Sequence, residues 1–182
     1  MKKFFITGAA GFIGSHVCEH IAEKFPNSKI IALDKLTYAG NKSFLKNISK
    51  KNLKFIKSDI LNSKKYRKYL KNIDCAINIA AESHVDNSFR NSVEFTKTNT
   101  LGAHIFLENC INRKVKKIIH ISTDEVYGDK LKGKSYEGDS LDPTNPYSAS
   151  KAAAEIITNS YKYVFKKDII IIRANNIYGT RQ

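Results

Sequence analysis

TGAAGFIG, residues Thr7–Gly14, follows a short apolar run and opens a segment with helical spacing. The first glycine, Gly8, allows a sharp turn, and Gly11 lets the backbone come close to a pyrophosphate. Gly14 then permits close packing between helix and sheet. A glycine triplet alone is a weak signal, but a strand before it and a helix after it predict a dinucleotide-binding turn.

The rest of the chain alternates between two hydrophobic periods. Short β-branched runs, several of them continuously apolar like strands covered on both faces, recur at Lys3–Thr7, Lys29–Asp34, Leu53–Lys57, Asp74–Ala80, Lys117–Ser122 and Asp168–Ala174. Segments with helical spacing include Ile13–Phe25, Leu101–Ile111 and Ala152–Val164, and Gly128–Pro146 reads as a surface loop. This alternation predicts βαβ units and a doubly wound parallel α/β sheet of the Rossmann type.

A carboxylate stands where a dinucleotide-binding fold needs one. Asp34 ends the second predicted strand, 20 residues beyond Gly14, where it can accept hydrogen bonds from ribose hydroxyls. A carboxylate there repels a 2′-phosphate, so we predict NAD rather than NADP. The positive charge of the neighbouring Lys35 would instead attract such a phosphate. Asp59 and Ile60, after the third strand, are expected near the adenine ring. For Asp59, a helix N-cap is an equally good interpretation.

Tyr147 and Lys151 begin the helix that follows Pro146 and share one helical face, because they are four residues apart. The ammonium can favour the phenolate and lower the pKa of the tyrosine. Such a tyrosine can take a proton from a sugar hydroxyl while hydride leaves the same carbon. The pair alone is common in amphipathic helices, but its position after a dinucleotide turn favours the catalytic interpretation.

The fifth predicted strand ends in STDEVYG, residues Ser122–Gly128, at the edge where doubly wound sheets place their ligands. Asp124 and Glu125 are adjacent carboxylates, and alone such a pair is most often a solvated turn. Beside Tyr147 and Lys151 they offer a general acid and a general base for an elimination. This requires that their surroundings push the two pKa values apart.

The composition argues against several other classes of protein. The 182 residues carry a net charge of +14, but 26 of the 31 basic residues are Lys and Arg is scarce, so we expect no nucleic-acid partner. No apolar run is long enough for a membrane span or a signal peptide. Cys18, Cys75 and Cys110 are scattered in apolar segments. We therefore expect a cytoplasmic protein without a disulfide framework or a metal site.

Six motifs resemble the extended branch of the short-chain dehydrogenase/reductase superfamily, and within it the nucleoside-diphosphoglucose 4,6-dehydratases. They are TGAAGFIGSH at Thr7–His16, DKLTYAGN at Asp34–Asn41, AAESHVDNSF at Ala80–Phe89, STDEVYG at Ser122–Gly128, NPYSASKAAAE at Asn145–Glu155 and RANNIYGTRQ at Arg173–Gln182. The Thr-Asp-Glu triplet discriminates, because epimerases and decarboxylases of the superfamily usually show another pattern there. Thr180 departs from the family, in which Pro is usual.

The resemblance implies an internal redox cycle, with tightly bound NAD, that converts dTDP-glucose or UDP-glucose to the 4-keto-6-deoxy nucleotide for 6-deoxysugar synthesis. Tyr147, assisted by Lys151, would take the proton from the hydroxyl at sugar carbon 4, and Thr123 would hydrogen-bond that oxygen. Glu125 would remove the proton at carbon 5, and Asp124 would protonate the hydroxyl leaving carbon 6. The resemblance further assigns cofactor contacts to Gly8, Gly11, Phe12, Ile13, Gly14, Asp34, Lys35, Asp59, Ile60, Ala80, Ala81, Thr98, Tyr147 and Lys151, glucose contacts to Ser83, Glu82 and Asn176, and positioning roles to Asn99 and Ser122.

The resemblance also implies a homodimer, paired through the helices around Leu101–Ile111 and Ala152–Val164. Relatives take their nucleotide contacts from a C-terminal domain, so residues 1–182 are expected to be the dinucleotide-binding fragment of a longer enzyme. The motif spelling resembles the eukaryotic branch, which includes plant enzymes that use UDP-glucose. Two alternatives stay open. A 4-epimerase needs Tyr147 and Lys151 without the carboxylates, and a catalytically silent NAD-binding regulator needs only the glycine turn.

Overall fold

The computed structural model describes residues 1–130 and 132–182, which form a parallel sheet of six strands. The strands are β1 (Lys3–Thr7), β2 (Lys29–Asp34), β3 (Leu53–Lys57), β4 (Cys75–Asn78), β5 (Lys117–Thr123) and β6 (Asp168–Ala174). They lie in the order β3-β2-β1-β4-β5-β6, so the winding reverses between β1 and β4. This is the predicted doubly wound arrangement, and it opens a crevice at the carboxyl ends of these two strands.

Helices and turns connect the strands on both faces. The α-helices are α1 (Phe12–Lys24), α2 (Ser63–Tyr66), α3 (Val85–Arg90), α4 (Ser92–Phe95), α5 (Ala103–Asn112) and α6 (Pro146–Phe165). Short 3-10 helices lie at Lys42–Leu45, Arg67–Leu70 and Asp124–Tyr127, and a π-helical turn, Thr96–Gly102, joins α4 to α5. Within the described residues, no helix is both long and apolar enough to cross a membrane. The predicted loop before Pro146 is irregular after the 3-10 helix, and its residue 131 lies outside the described residues.

The central strand β1 sends alternate side chains into two separate cores. Phe5 packs against Phe106 of α5, with ring centroids 5.7 Å apart, on one face of the sheet. Phe4 and Ile6 point to the other face and join a cluster with Ile21 of α1. Full burial of one such side chain contributes roughly 1.5–3 kcal/mol. Both faces of the sheet are therefore covered, as the continuously apolar strands predict.

Two local predictions differ from the structure. The prediction extended β4 to Ala80, but the ladder ends at Asn78 because the N–H groups of Ile79 and Ala80 donate to the Oγ1 of Thr7, each at 3.1 Å. Leu101 was expected on the apolar face of a regular helix. It lies in the π-helical turn, which changes the helical spacing, and its side chain is exposed.

A chain of buried polar groups crosses the middle of the sheet. Thr7 Oγ1 donates to Asn78 Oδ1 at 2.6 Å, and Asn78 Nδ2 donates to Nδ1 of His120 at 3.2 Å. The ring proton of His120 therefore sits on Nε2, which is buried and has no hydrogen-bond partner within the described residues. Burial lowers the pKa of His120 to about 3, and the nearby Lys151 acts in the same direction. His120 is consequently neutral in the folded chain at neutral pH.

Replacing His120 with Asn should weaken the acid sensitivity of folding. Because the folded-state pKa lies below the unfolded value of about 6.5, the stability linked to this group is complete above that value and is lost progressively as the pH falls towards 3. Between pH 7 and pH 4.5, the loss in unfolding free energy should be about 2–3 kcal/mol smaller for His120→Asn than for the wild type. Urea denaturation at the two pH values measures this difference. The exposed His20 supplies the control, and His20→Asn should keep the wild-type loss.

Candidate functional site

The glycine turn leaves the N-terminus of α1 open at the carboxyl end of β1. Gly8 has a φ of +64°, and a Cβ on it would lie 2.7 Å from the backbone nitrogen of Ala80. A Cβ on Gly14 would lie 2.0 Å from the carbonyl oxygen of Gly8, so neither position admits a side chain. Gly11 is the N-cap of α1, where no side chain caps the helix, and the first turn contains no acidic residue. The helix thus presents its positive end to any anion placed there.

Asp34 supports this turn from the end of β2. Its buried carboxylate accepts the backbone N–H of Ala10 at 2.8 Å and that of Leu36 at 2.7 Å. Each oxygen has accepting capacity left, since an ionised carboxylate offers about four lone-pair sites. The predicted position of Asp34 at the strand end is therefore confirmed, and its carboxylate also braces the glycine turn.

Asp59 and Ile60 follow β3, but neither caps a helix. Helix α2 begins at Ser63 with Asn62 as its N-cap, so the N-cap interpretation of Asp59 is wrong. Burial would raise the pKa of Asp59, but hydrogen bonds from Lys35, at 2.8 Å, and from the N–H of Leu61 lower it. Ile60 is buried in the core. Its contact with the adenine ring of the cofactor stays a prediction.

The Thr-Asp-Glu triplet lies where β5 turns into a 3-10 helix. Thr123 is the N-cap of that helix, and its Oγ1 accepts the N–H of Glu125 at 3.2 Å. Thr123 Oγ1 also lies 3.3 Å from Asp124 Oδ1. The side-chain amide of Asn145 donates to Glu125 Oε2 at 3.1 Å. The cap fixes the backbone of the triplet, and Asn145 orients one of its carboxylates.

Helix α6 presents Tyr147 and Lys151 to the same region. Asn145 caps the helix through a reciprocal hydrogen-bond pair with Ser148, which places Tyr147 in the first turn. Lys151 is buried, and its Nζ donates to the carbonyl oxygen of Ile121. Burial lowers the pKa of Lys151 to about 8. The lysine is therefore held against β5.

The prediction that Lys151 lowers the pKa of Tyr147 is wrong for this structure. Burial raises the pKa of Tyr147, and the negative charges of Glu125 and Asp124 raise it further. A hydrogen bond with Thr123 is the one contribution that lowers it. The physical reason is that the ammonium is bonded to a backbone carbonyl, while the phenol shares its surroundings with two carboxylates.

The buried side chain of Asn99 supports the site. Asn99, in the π-helical turn, accepts the N–H of Glu82 at 2.8 Å and donates to the carbonyl oxygen of Glu82 and to Ser150 Oγ, both at 2.9 Å. It thereby positions the backbone of the loop after β4.

Arg173 is the supporting residue that sequence reasoning missed. Its Nη2 and Nε donate to Oε2 of the fully buried Glu155, at 2.8 and 3.0 Å. Its Nη1 donates to the hydroxyl of Tyr127 at 2.6 Å. Arg173 thus ties α6 to the end of the 3-10 helix that carries Asp124 and Glu125. No local sequence pattern predicts these contacts, because the partners are 18 and 46 residues away.

These elements enclose a cavity of about 680 Å³ at the carboxyl end of the sheet. The predicted site residues that line it are Gly8, Gly11, Phe12, Ile13, Gly14, Ala80, Ala81, Ser83, Ser122, Thr123, Glu125, Tyr147, Lys151 and Asn176. Those placed outside its lining are Asp34, Lys35, Asp59, Ile60, Glu82, Thr98, Asn99 and Asp124. Arg181, which no prediction assigned, also lines the cavity. The glycine turn and the Tyr-Lys pair therefore face one shared space.

Comparison with known proteins identifies close relatives. The sequence model of the GDP-mannose 4,6 dehydratase family matches residues 5–182. The dTDP-D-glucose 4,6-dehydratase of Dictyostelium discoideum is 48% identical over 196 residues, an alignment that covers 100% of this chain and 45% of the relative. A trifunctional protein of Arabidopsis thaliana, whose name begins with UDP-glucose 4,6-dehydratase, is 44% identical over 191 residues, with 100% and 28% coverage.

A solved structure agrees with the fold. DesIV, a dTDP-glucose 4,6-dehydratase of Streptomyces venezuelae with NAD bound, matches with a TM-score of 0.94 and 37% identity. The match covers 99% of this chain and 57% of DesIV. The chain thus spans about half the length of this structure and less than half of the two relatives above.

Removing the guanidinium of Arg173 should destabilise the chain strongly. Arg173→Met leaves Glu155 buried without its partner, which should lower the unfolding free energy by about 3–5 kcal/mol. The double variant Arg173→Met/Glu155→Met removes both charges and should recover most of that loss. Urea denaturation at pH 7 measures both. A double variant no more stable than the single one would show that the ion pair is not the source of the effect.

Proposed function

Because the chain belongs to the GDP-mannose 4,6 dehydratase family, we propose that the protein is an NAD-dependent nucleoside-diphosphoglucose 4,6-dehydratase. It converts dTDP-glucose or UDP-glucose into the 4-keto-6-deoxy nucleotide and water. The observation that carries this proposal is the meeting of Glu125 with Thr123 and Tyr147 in one cavity that also contains the glycine turn. A 4-epimerase has no use for Asp124 and Glu125, and a silent NAD-binding regulator needs neither them nor Tyr147.

The residues present fit NAD. Gly11 leaves bare backbone at an uncapped helix N-terminus, which suits a diphosphate, and Phe12 and Ile13 supply the next N–H groups. Asp34 keeps accepting capacity for ribose hydroxyls, and its negative charge opposes the 2′-phosphate of NADP. When bound, NAD would accept hydride from sugar carbon 4 and return it at carbon 6.

Tyr147 serves as the base at sugar carbon 4. Its Oη takes the proton of that hydroxyl, and Thr123, which lines the same cavity, holds the sugar oxygen in place. Lys151 keeps most of its positive charge at neutral pH, because its lowered pKa is still about 8. Its ammonium, bonded to the carbonyl oxygen of Ile121, is a fixed positive charge one helical turn from Tyr147.

Asp124 and Glu125 carry out the elimination. A ketone at carbon 4 makes the proton at carbon 5 acidic, and the carboxylate of Glu125, oriented by Asn145, removes it. Asp124, whose Oδ1 lies 3.3 Å from Thr123 Oγ1, gives a proton to the hydroxyl that leaves carbon 6 as water. Glu125 then returns its proton to carbon 5 when hydride arrives at carbon 6.

Glu125→Gln should lower the rate of product formation by at least about 100-fold, since a positioned base contributes about 10²–10⁴-fold. The whole protein is incubated with dTDP-glucose or UDP-glucose, and mass spectrometry of the nucleotide sugar measures the loss of one water. Glu23→Gln, at an exposed glutamate of α1, is the control and should keep the wild-type rate. A normal rate in Glu125→Gln would rule out this role, and a 4-epimerised hexose without loss of water would favour the epimerase.

We also assign the protein a homodimeric, cytoplasmic state. Large apolar side chains lie exposed on α6 and on the elements that pack against it: Phe89 of α3, Val93 of α4, Leu101 of the π-helical turn and Ile156 of α6. Ile156 is 64% exposed and Val93 is 63% exposed. Apolar side chains grouped in this way are typical of protein–protein interfaces. The predicted pairing helices contain two of these four residues.

Ile156→Lys should convert the dimer to a monomer, because it places a charge in an apolar interface. Sedimentation equilibrium should change from the mass of two chains to that of one. Tyr136→Lys changes an equally exposed residue in the loop before α6 and should leave the mass unchanged. A wild-type protein that sediments as a monomer would contradict the dimer.

A further inference from the structure

Two cationic side chains, Lys151 and Arg181, line the cavity and contact different elements. Lys151 lies beside Tyr147 and is bonded to the Ile121 carbonyl. Arg181 lies beside α1, close to the residues that follow the glycine turn. We call the part of the cavity beside Arg181 its α1 end.

Arg181 is held firmly next to the first turns of α1. Its Nη2 forms an ion pair with Glu19 Oε2 at 2.7 Å, and its Nη1 donates to Ser15 Oγ at 3.2 Å. Its guanidinium carbon lies 5.5 Å from the ring centroid of Phe44. The side chains of Arg181 and Glu19 are 19% and 16% exposed. Within the described residues these contacts use two of the five guanidinium N–H groups, and the rest stay available at the cavity wall.

The hydrogen-bond donors at this end favour an anion, although the charge of Arg181 is already paired with that of Glu19. The first turn of α1 has no acidic residue and no side-chain cap, so its N-terminal N–H groups face the cavity uncompensated. A diphosphate diester brings two negative charges, and a helix N-terminus offers only about half a positive charge. The guanidinium N–H groups of Arg181 that Glu19 and Ser15 do not use can donate to phosphate oxygens, which the planar fork suits.

We propose that Arg181 binds the diphosphate of the ligand that occupies the α1 end of the cavity. The inference rests on the proposed function, because it takes the cavity to hold a nucleotide. Two ligands share this chemistry, namely the dinucleotide cofactor and the nucleotide sugar. The glycine turn beside Arg181 favours the dinucleotide.

Isothermal titration of the full chain with NAD, dTDP and UDP tests the proposal. Arg181→Gln should bind NAD about tenfold more weakly, as expected for the loss of one charge-assisted hydrogen bond. Arg181→Lys keeps the charge but loses the planar fork, so its affinity for NAD should lie between those of the wild type and Arg181→Gln. Adenosine, which has no phosphate, should bind Arg181→Gln and wild type equally, and this checks that the variant is folded.

Glu19→Gln separates ligand binding from a purely structural tether. If Arg181 only fastens its segment to α1, breaking the ion pair from the Glu19 side should weaken NAD binding as much as Arg181→Gln does. If Arg181 binds the diphosphate, Glu19→Gln should leave the affinity equal or higher, because it removes a nearby negative charge.

The remaining outcomes also decide the question. Weaker binding of NAD alone assigns Arg181 to the cofactor, and weaker binding of dTDP or UDP alone assigns it to the nucleotide sugar. Unchanged affinity for all three, no binding of any of them to wild type, or an equal loss for adenosine overturns the proposal. NAD binding with the expected Arg181 effect but no sugar product would reject the proposed reaction and leave this inference standing.

Discussion

The hydroxyl of Thr7 makes the contact on which the rest of the site depends. It accepts two N–H groups at the end of β4 and donates to Asn78, so one side chain ends the ladder between β1 and β4. Directly after it, Gly8 passes so close to Ala80 that a Cβ would not fit. The separation of the two strands at this point opens the crevice, and the positions of α1 and of the loop after β4 follow from it.

Polar side chains with buried partners hold the loops around this crevice. Asn99 fastens the backbone of Glu82 to Ser150 of α6, and Arg173 fastens α6 to the 3-10 helix through Glu155 and Tyr127. Both act on α6, the helix that carries Tyr147 and Lys151. A change in either support should therefore move the tyrosine relative to the carboxylates, although neither support lines the cavity.

The sequence predicted whatever depends on local pattern. The apolar runs gave β1, β2, β3 and β6 with their observed bounds, and the spacing after Pro146 gave α6. The π-helical turn that exposes Leu101 is a local feature that it missed, and the other missed features depend on partners distant along the chain. The end of β4 is set by Thr7, the bond of Lys151 is to Ile121, and Arg173 meets Glu155. Spacing could place Lys151 near Tyr147, but only packing decides which acceptor the ammonium reaches.

The electrostatics of Tyr147 connect the two halves of the proposed reaction. Glu125 and Asp124 both raise the pKa of Tyr147, so the phenolate forms least easily when both are ionised. The elimination needs one of them, Asp124, to carry a proton for the departing hydroxyl. That proton also removes one of the charges that oppose the phenolate, so the state prepared for the second step is the state in which the first step is easier. In the proposed reaction, the adjacent carboxylates, which alone resemble a solvated turn, would thereby couple oxidation at carbon 4 to elimination across carbons 5 and 6.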